Sequence, residues 1–548
     1  MKHRRLSVNE ILWATAWALL ALALTSLPYL LGCYLSSPEM HFGGFVIAVE
    51  DGNSYMAKMG QGARGEWFFH LPYTSEDHDG AILFIFHLLL GKLARLSGLS
   101  QVSVYHLARL VCGLFLLWMT YVFIAYFVPF VALRRIAFLL VCFSSGLGWL
   151  LISLGLSSDI PIDFLLPEAF TFLILYAFPH MALARTLMLA TFILTLTAFR
   201  RNQIMHAILA GAVCSLVGLI VPFYVGVAYV VLGSYLVALF WKRRHIPWQE
   251  LRLTAVVVLI SMPILLYNGY VFWTNPIFRA WTGQNLILSP HPLHYVSGYA
   301  VVALLATGGI GYVLRRLESE KLFLVSWVLV VPPLLYVPFN LQRRLIEGFQ
   351  IPLCILASLG LARCVLPAVT RSGLTRSLTR FQRYTRPKLR RLVTTAIILL
   401  TIPSNLLLVA TSLVQVSRLA PPIFHEGMEL EAMDWLAGHT QPSDVIFSSY
   451  QAGNYIPARA GNRVFLGHGP ETIHAEEKEN IVRRFFQAQT GDVYREEILR
   501  RYHIAYLFYG PAERALGDFQ PATRSYLEEA FTNGHYTIYQ VKPSDLDL

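Results

Sequence analysis

An acidic pair with the chemistry of a general base lies soon after the first apolar segment of the chain. Glu50 and Asp51 are followed directly by Gly52-Asn53-Ser54-Tyr55. Two adjacent carboxylates at a membrane face can act as a general base, as metal ligands, or as both. An Asp-Gly pair is equally typical of a solvated turn. The sequence leaves both interpretations of Glu50 and Asp51 open.

Downstream of this pair, aromatic residues alternate with charged ones. Trp67-Phe68-Phe69 precede Glu76-Asp77-His78-Asp79. Such aromatics are typical of a segment at a membrane interface, and they can also stack against sugar rings. The second group has residue types that bind metals but lacks a diagnostic spacing, so metal binding there is only weakly indicated.

A second set of ionisable residues lies in a largely apolar stretch. Its members are Asp159, Asp163, Glu168 and His180. A carboxylate among apolar neighbours, as at Glu168, needs a partner or a shifted pKa. We interpret Glu168 and His180 as candidates for substrate binding. A helix-capping carboxylate and a buried, hydrogen-bonded histidine are the alternatives.

Two consecutive arginines, Arg343 and Arg344, interrupt the charge pattern of the chain, with Glu347 just beyond. The topology given below places them at the outer face, against the tendency of basic residues to remain cytoplasmic. Arginine binds phosphate through two parallel hydrogen bonds, so an outer pair facing a lipid phosphate would explain the exception. A misplaced span, or an ion pair with Glu347, would explain it equally simply.

These candidates must be positioned by a membrane protein. Of 548 residues, 55% are hydrophobic and 14% charged, and the mean hydropathy is +0.51. Soluble domains have about 45–50% apolar and about 25% charged residues. The apolar residues form blocks of about twenty, which is the length of a membrane span. An ordinary soluble enzyme, a disordered protein and a disulfide-built secreted module are therefore excluded.

The distribution of basic residues orients these spans. Residues 1–423 contain 33 Lys and Arg against 15 Asp and Glu, whereas residues 424–548 contain 11 against 18. Because cytoplasmic loops carry the excess of Lys and Arg, the pattern predicts eleven spans, a cytoplasmic N-terminus and an extracytoplasmic tail. We interpret the basic start, MKHRR, and its apolar continuation as a retained first helix. The basic excess orients helices and calls for no nucleic-acid partner.

This topology predicts a polytopic α-helical transmembrane module over residues 1–417 and a small soluble α/β domain over residues 418–548. The outer loops of the module are 34–101, 156–182, 273–295 and 339–348. The segment 81–96 is interpreted as an amphipathic helix in the outer interface rather than as a span. In the tail, period and composition predict strands at 445–447, 464–466, 505–509 and 537–541, and helices at 428–436, 476–487 and 523–531.

The first loop resembles that of the GT-C glycosyltransferases that use polyprenyl-phosphate sugars, such as protein O-mannosyltransferases and the lipid A aminoarabinose transferase. In that superfamily the loop reads Asp-Glu, Tyr, Gly and Asp-His-Pro-Pro before an interfacial helix, then Ala-Leu-Arg-Leu. The counterparts here are Asp51, Tyr55, Gly65, Asp77-His78-Asp79-Gly80 and Leu107-Ala108-Arg109-Leu110. Two features differ: Glu50 precedes Asp51 instead of following it, and Asp79-Gly80 replaces Pro-Pro.

The resemblance implies an inverting sugar transfer at the outer membrane face. Asp51 would deprotonate or orient the acceptor, with Glu50 in support, and the donor would be a sugar on a polyprenyl phosphate. Tyr55, His78, Glu168 and His180 would contact substrate. Some members hold a divalent metal such as Mg or Mn, for which Asp51, Asp159 and Glu168 are the candidate ligands.

The phosphate-binding role of Arg343 and Arg344 comes from topology, not from a motif. The acceptor stays open among protein, lipid and glycan. The competing hypothesis is a lipid or solute transporter with an outer accessory domain, which would concentrate polar residues in mid-helix. A non-catalytic scaffold would tolerate Ala at positions 50 and 51. Since no nucleotide-binding signature is present, a nucleotide-driven pump is disfavoured.

Overall fold

The computed structural model describes residues 6–156, 159–372 and 385–542, and most of these are helical. The elements group into two compact units. The first comprises Met1–Leu27, Leu107–Asn268 and Ile287–Thr411, and the second comprises Pro28–His106, Gly269–Leu286 and Ser412–Leu548. In the second unit the tail thus packs with the first loop and part of the third. The division of the chain at residue 417 into a transmembrane module and a soluble domain stays a prediction.

Among the described residues, seven helices are long and apolar enough to cross a membrane. They are Val8–Leu35, Gln101–Phe127, Pro179–Arg201, Pro222–Arg243, Trp248–Thr274, Pro292–Arg316 and Gln350–Arg371. The helices Arg386–Leu400 and Pro403–Val416, bent by 43° at their junction, form an eighth if the pair counts as one span. The protein is therefore an integral membrane protein.

The other predicted spans correspond to shorter helices, namely Val131–Phe143, Ile204–Ile220 and Ser319–Leu334. The apolar stretch 204–241, too long for one span, is divided at Pro222, because one helix ends at Ile220 and the next begins at Pro222. A 17-residue helix such as Ile204–Ile220 is about 26 Å long, slightly less than the hydrocarbon core. The total of eleven spans and the orientation of the termini stay predictions.

Basic residues occupy the last turns of three of the long helices, at Arg200-Arg201, Lys242-Arg243 and Arg315-Arg316. A cation there also interacts favourably with the negative end of the helix dipole. The residues from which the orientation is predicted therefore also stabilise the ends of these helices. Of the other basic segments, residues 1–5 and residues 373–384 of the stretch 371–391 lie outside the described residues.

Short elements connect the long helices of the first unit. They are Gly148–Ser153, Ile162–Leu165, Thr171–Ala177 and the 3-10 helix Gln342–Ile346, and the span Gln350–Arg371 contains a π-helical turn at Leu361–Val365. Phe123, Phe192, Phe323 and Trp327 are fully buried and pack edge to face. This geometry is the one that aromatic pairs favour, so the cluster fixes the helices that carry it.

The second unit contains a five-stranded sheet in the order Arg463–Val464, Val445–Phe447, Ile504–Tyr509, Thr537–Val541, Leu527–Thr532. The first three strands are parallel, and the last two join antiparallel. Ile446 faces a core with Gly427–His439 and Tyr450–Arg459, whereas Val445 and Phe447 face a core with Ala475–Phe485 and Asp492–Arg501. Alternation along one strand thus buries both faces of the sheet.

The predicted strands at 445–447 and 537–541 have the observed bounds. The predicted helix at 523–531 is wrong, because Pro521–Thr523 is a 3-10 turn and Leu527–Thr532 is the edge strand. The short helix Pro511–Arg514 completes the sheet region. A separate two-stranded sheet pairs Met40–Phe42 with Phe424–Glu426, so the first loop and the tail are hydrogen-bonded within the second unit.

The predicted amphipathic helix is present as Ile85–Ser97 and buries one face. It crosses the helix Val49–Arg64 where both backbones meet at glycines. A Cβ on Gly62 would lie 2.1 Å from the Leu88 oxygen, and one on Gly91 would lie 1.9 Å from the Met59 oxygen. Only glycine permits this approach. The location of Ile85–Ser97 in the membrane interface stays a prediction.

Candidate active site

Glu50 and Asp51 lie in the first turn of the helix Val49–Arg64, hereafter the acidic helix. The solvated-turn interpretation of this pair is wrong. Gly52 is helical, and its missing side chain leaves room for the Phe45 ring, which a Cβ would approach to 2.3 Å. Carboxylates are stabilised at a helix N-terminus by the helix dipole. The helix therefore presents both acids from a rigid element instead of a loop.

Each carboxylate of the pair faces a residue of the tail. The Tyr450 hydroxyl donates to Glu50 Oε2 over 2.8 Å. The Nε2 atom of His468 lies 3.4 Å from Asp51 Oδ1. The Asp51 side chain is 48% exposed, whereas that of His468 is only 4% exposed. Asp51 thus keeps one side accessible while its other side rests on a buried imidazole.

A buried charge pair stands behind this contact. Lys58, one turn further along the acidic helix from Ser54, places its Nζ 2.6 Å from Glu471 Oε1, and both side chains are almost fully buried. The Ser54 hydroxyl donates to the same oxygen over 2.7 Å. Burial alone would raise the pKa of Glu471, but the charges of Lys58 and His468 outweigh it and hold that pKa below its usual value. Glu471 is therefore anionic at neutral pH.

The tail loop 467–474 carries both His468 and Glu471, and the helix Pro276–Gln284 holds it. Gln284 donates to the Thr472 carbonyl over 2.7 Å and accepts from the His474 amide over 3.1 Å. The Asn285 amide donates to the Pro470 carbonyl over 2.8 Å. Three segments, from the first loop, the third loop and the tail, therefore converge around Asp51 in the second unit.

The other predicted residues of the first loop lie in a packed segment. Tyr55 stacks on His87, with ring centroids 4.6 Å apart. His78 accepts the Leu71 amide at Nε2 over 2.9 Å, and its Nδ1 lies 3.0 Å from the Glu76 carbonyl. Burial lowers the pKa of His78, so the ring is neutral at pH 7 and shapes the loop. Roles of Tyr55 and His78 toward substrate stay predictions.

Two acids of the same segment bind basic residues of the tail. Glu76 lies 2.7 Å from the buried Lys478 Nζ, and Asp77 lies 2.6 Å from Arg463 Nη1. The Arg463 guanidinium lowers the pKa of Asp77. Burial would raise the pKa of Glu76, but Lys478 lowers it below its usual value. These carboxylates are occupied by cations, which argues against a metal at 76–79.

Arg343 and Arg344 lie on the 3-10 helix Gln342–Ile346 of the first unit. The structure brings Glu168 to them: Arg344 Nε is 3.7 Å from Glu168 Oε1, with Arg344 42% exposed and Glu168 buried. The Arg343 amide donates to the Ile287 carbonyl over 3.3 Å. Glu168, which as a buried carboxylate needed a partner, therefore has a cationic one.

The alternative of an ion pair between these arginines and Glu347 is wrong. Glu347 is fully buried and accepts from Arg185 at both oxygens, over 2.5 and 2.9 Å. Arg185 also donates to the Glu168 carbonyl over 2.7 Å. This buried pair holds the C-terminal end of the arginine-bearing turn, and Glu347 is therefore not the partner of Arg343 or Arg344.

Asp159 and His180 occupy different surroundings from Glu168. Asp159 is exposed. His180 lies in the first turn of Pro179–Arg201 with its ring edge-on to Phe178. A second buried carboxylate of this loop is Asp163, which accepts the Gly146 and Gly148 amides and the Ser404 hydroxyl. Burial raises the pKa of Asp163, and these hydrogen bonds oppose it. Roles of Asp159 and His180 in binding stay predictions.

No family model matches the sequence, and no curated protein matches it either. Solved structures do. The arabinofuranosyltransferase AftD from Mycobacteria is similar over 100% of this chain and 40% of its own, at 16% identity and a TM-score of 0.56. The apo oligosaccharyltransferase from Archaeoglobus fulgidus is similar over 98% and 75%, at 14% identity and 0.52. Apo ArnT from Cupriavidus metallidurans is similar over 97% and 99%, at 14% identity and 0.50.

All three are glycosyltransferases of the class that the first loop resembles, and each matches nearly the whole of this chain. The chain has a GT-C fold. The resemblance drawn from Asp51 and the motifs after it is thus confirmed at the level of the fold. This chain spans 40% of the AftD chain, and likeness at such identities does not by itself transfer an activity.

The residues do not fit a metal centre of the kind that some GT-C enzymes hold. Among the described residues, no three His, Cys, Asp or Glu side chains are grouped to bind a metal ion. Asp51 contacts a histidine and Glu168 an arginine. We therefore derive no chemical step through a metal.

Several residues at this candidate site were not predicted from the sequence, notably Lys58, Tyr450 and His468. Lys58 had a local signal, since it is a lone charge within Met56-Ala57-Lys58-Met59 on a helical face. His468 follows the strand Arg463–Val464 closely and lies in Gly467-His468-Gly469-Pro470, a turn that ends a strand at its carboxyl edge. Nothing in the sequence around Tyr450 indicated that it lies at this site.

Proposed function

We propose that this protein is a membrane glycosyltransferase that transfers a sugar from a polyprenyl phosphate to an acceptor at the outer membrane face, with inversion. The observation that carries the proposal is Asp51, a half-exposed carboxylate fixed at the N-terminus of the acidic helix. The GT-C fold supports it, because that fold is shared with three sugar transferases. A lipid-linked donor also requires no nucleotide-binding fold.

In the proposed reaction, the acceptor oxygen or nitrogen attacks the anomeric carbon of the donor sugar. Its proton passes to Asp51, and the bond between that carbon and the phosphate oxygen breaks. The electron pair of the broken bond leaves with the polyprenyl phosphate. A general base placed beside the acceptor accelerates such a step by about 10²–10⁴-fold. Glu50 is the proposed supporting carboxylate beside the base, and the Tyr450 hydroxyl holds it by a hydrogen bond.

Arg343 and Arg344 are the proposed ligands of the donor phosphate. Arg344 remains 42% exposed despite its contact with Glu168, so its guanidinium is accessible to an anion. Fixed cations near a departing phosphate stabilise the charge that develops on it. The buried Arg185–Glu347 pair supports this role because it fixes the turn that carries the two arginines.

The acceptor stays open among protein, lipid and glycan. One structure of the Archaeoglobus fulgidus oligosaccharyltransferase holds a tethered acceptor peptide, which makes a peptide one class to test. Mass spectrometry of cell-envelope glycans, glycolipids and glycoproteins from a deletion strain would identify the missing product. A deletion strain that lacks no glycosylated product would contradict the proposed function.

The assignment of Asp51 is tested by returning variants to that strain. Asp51→Asn preserves size and most hydrogen bonding but removes the charge, so we expect a loss of about 10²-fold or more in product. Glu50→Gln should cost less, because Tyr450 can still donate to the amide oxygen. Asp518→Asn, at an exposed position of the same unit, is the matched control. Normal product with Asp51→Asn would move the base to another residue.

A role for a divalent metal is tested separately. If Asp51 acts without a metal, treatment of the purified protein with a chelator should leave transfer unchanged. Loss of transfer on chelation, restored by Mg²⁺ or Mn²⁺, would instead support a metal held in part by Asp51.

A further inference from the structure

His468 occupies a position between two carboxylates. Its Nε2 lies 3.4 Å from Asp51 Oδ1, and its Nδ1 lies 3.9 Å from Glu471 Oε1. The imidazole side chain is 4% exposed, whereas Asp51 is 48% exposed. The ring therefore contacts the inner side of the Asp51 carboxylate and leaves the outer side to the solvent and to an acceptor.

The hydrogen bonding of this ring differs from that of His78. His78 uses both ring nitrogens to bind backbone groups of its own loop. His468 Nδ1, by contrast, is buried without a hydrogen-bond partner among the described residues, and so is Glu471 Oε2. A buried polar atom left unpaired is costly, so the unpaired Nδ1 of His468 beside Glu471 calls for an explanation.

The neighbours of the His468 ring limit the carboxylates to which it can bind. Tyr73, from the first loop, packs against it with centroids 5.3 Å apart. Glu471 is neutralised by Lys58 at 2.6 Å, and Glu50 is directed to Tyr450. The amides of Gly467 and His468 both donate to the Thr472 hydroxyl over 3.3 Å, which fixes the backbone of the loop. Asp51 is therefore the half-exposed carboxylate that the His468 ring contacts.

We propose that His468 is a positioning residue for Asp51. Its Nε2–H donates to Asp51 Oδ1 and so holds the carboxylate with Oδ2 toward the acceptor. Glu471, anchored by Lys58 and Ser54, faces Nδ1 and fixes the plane of the ring. The tail thus supplies part of the catalytic machinery instead of serving only as an appendage. This inference rests on the proposed function, since it assigns a partner to the proposed base.

The experiment measures product restored to the deletion strain by full-length variants, normalised to protein amount. His468→Ala should lower product about tenfold or more, because misplacing a reacting group by about 1 Å can cost up to about 10²-fold. His468→Gln should restore part of the loss, because its amide can donate to Asp51. His439→Ala is the matched control, since His439 is an exposed histidine of the same tail.

A double variant separates positioning from mere stability. If His468 acts through Asp51, the variant Asp51→Asn/His468→Ala should yield as much product as Asp51→Asn alone, and the unfolding temperature of His468→Ala should stay near that of the parent. Normal product with His468→Ala, or losses that multiply in the double variant, would overturn the inference. Normal product with Asp51→Asn would instead overturn the proposed base, and the two failures are thus distinguishable.

Discussion

At the scale of single residues, the pair of Lys58 and Glu471 shows how a buried charge can be retained. Each ion loses its hydration, and the loss is offset only because Glu471 Oε1 receives Ser54 and Lys58 together. Removing one partner leaves the other charge buried and alone. Lys58→Met should therefore destabilise the protein by about 3–5 kcal/mol, measured as a fall in Tm. The control is Lys92→Met, which removes an exposed hydrogen bond from the lysine to the Gly65 carbonyl.

The same pair predicts a dependence on pH. Because Lys58 and His468 hold the pKa of Glu471 below its usual value, the stabilisation is complete above the unfolded pKa of about 4.3 and is lost as the pH falls through the lower, folded value. Glu471→Gln should flatten the fall of Tm below about pH 4. An unchanged acid dependence in that variant would contradict the depressed pKa.

We expect truncation of Arg343 or Arg344 to alanine to weaken binding of the donor. Arg344 is 42% exposed, so solvent screening keeps the loss near the lower end of the range for a truncated charge pair, about 2 kcal/mol. Binding of undecaprenyl phosphate to the purified protein should weaken roughly 30-fold in either Arg→Ala variant. The exposed Arg418 provides the control substitution. Unchanged affinity in both single variants and in the double variant would remove the arginines from the site.

At the scale of elements, the crossing of the acidic helix with Ile85–Ser97 is decided by glycine. Gly62 and Gly60 lie on the same helix, but a Cβ on Gly62 would meet the Leu88 backbone at 2.1 Å. One on Gly60 would meet only side-chain ends, those of Arg64 at 3.6 Å and Gln101 at 3.9 Å. Ala raises helix propensity by up to about 1 kcal/mol at both positions. Gly60→Ala should therefore leave Tm unchanged or higher, and Gly62→Ala should lower it. Equal effects would show that the helices cross differently.

Elements with a clear local pattern of apolar residues could be predicted from the sequence. Elements whose secondary structure depends on pairing with a distant segment could not. The strand 445–447 is apolar throughout and was predicted with its bounds. The segment Leu527–Thr532 has helix-forming Leu, Glu and Ala, yet it pairs with Thr537–Val541 as an edge strand. Its exposed Glu528 and Glu529 suit such an edge. Long-range pairing outweighed local propensity there.

The acidic pair illustrates the same limit at the candidate site. The chemistry of Asp51 could be predicted from residue type and from its place after the first span. Its helical setting could not, because Gly52 is explained by the Phe45 ring rather than by its neighbours in sequence. Likewise His468, 417 positions after Asp51, had no marker that would link it to that residue before the fold was known.

At the scale of the whole molecule, the orientation in the membrane is the prediction that governs all others. Basic clusters at alternate loops predict a cytoplasmic N-terminus and an outer tail. Reporter fusions after Arg391 and after Thr440 should therefore give cytoplasmic and extracytoplasmic signals respectively. A fusion after Arg201, at the end of a long helix, should match the first. Signals from the same side of the membrane for the fusions after Arg391 and Thr440 would contradict the predicted topology. They would also contradict an active site at the outer face.

The bond between Ser54 and Glu471 joins residues 417 positions apart, and the ribosome makes them in that order. At about 5–20 residues per second, the acidic helix emerges roughly 20–80 s before Glu471 is made. Lys58 must wait that long for its counterion, and Asp51 for its histidine. An unfinished or prematurely terminated chain therefore carries the acids but cannot hold them in place. The proposed sugar transfer therefore requires a chain that has been made at least as far as Glu471.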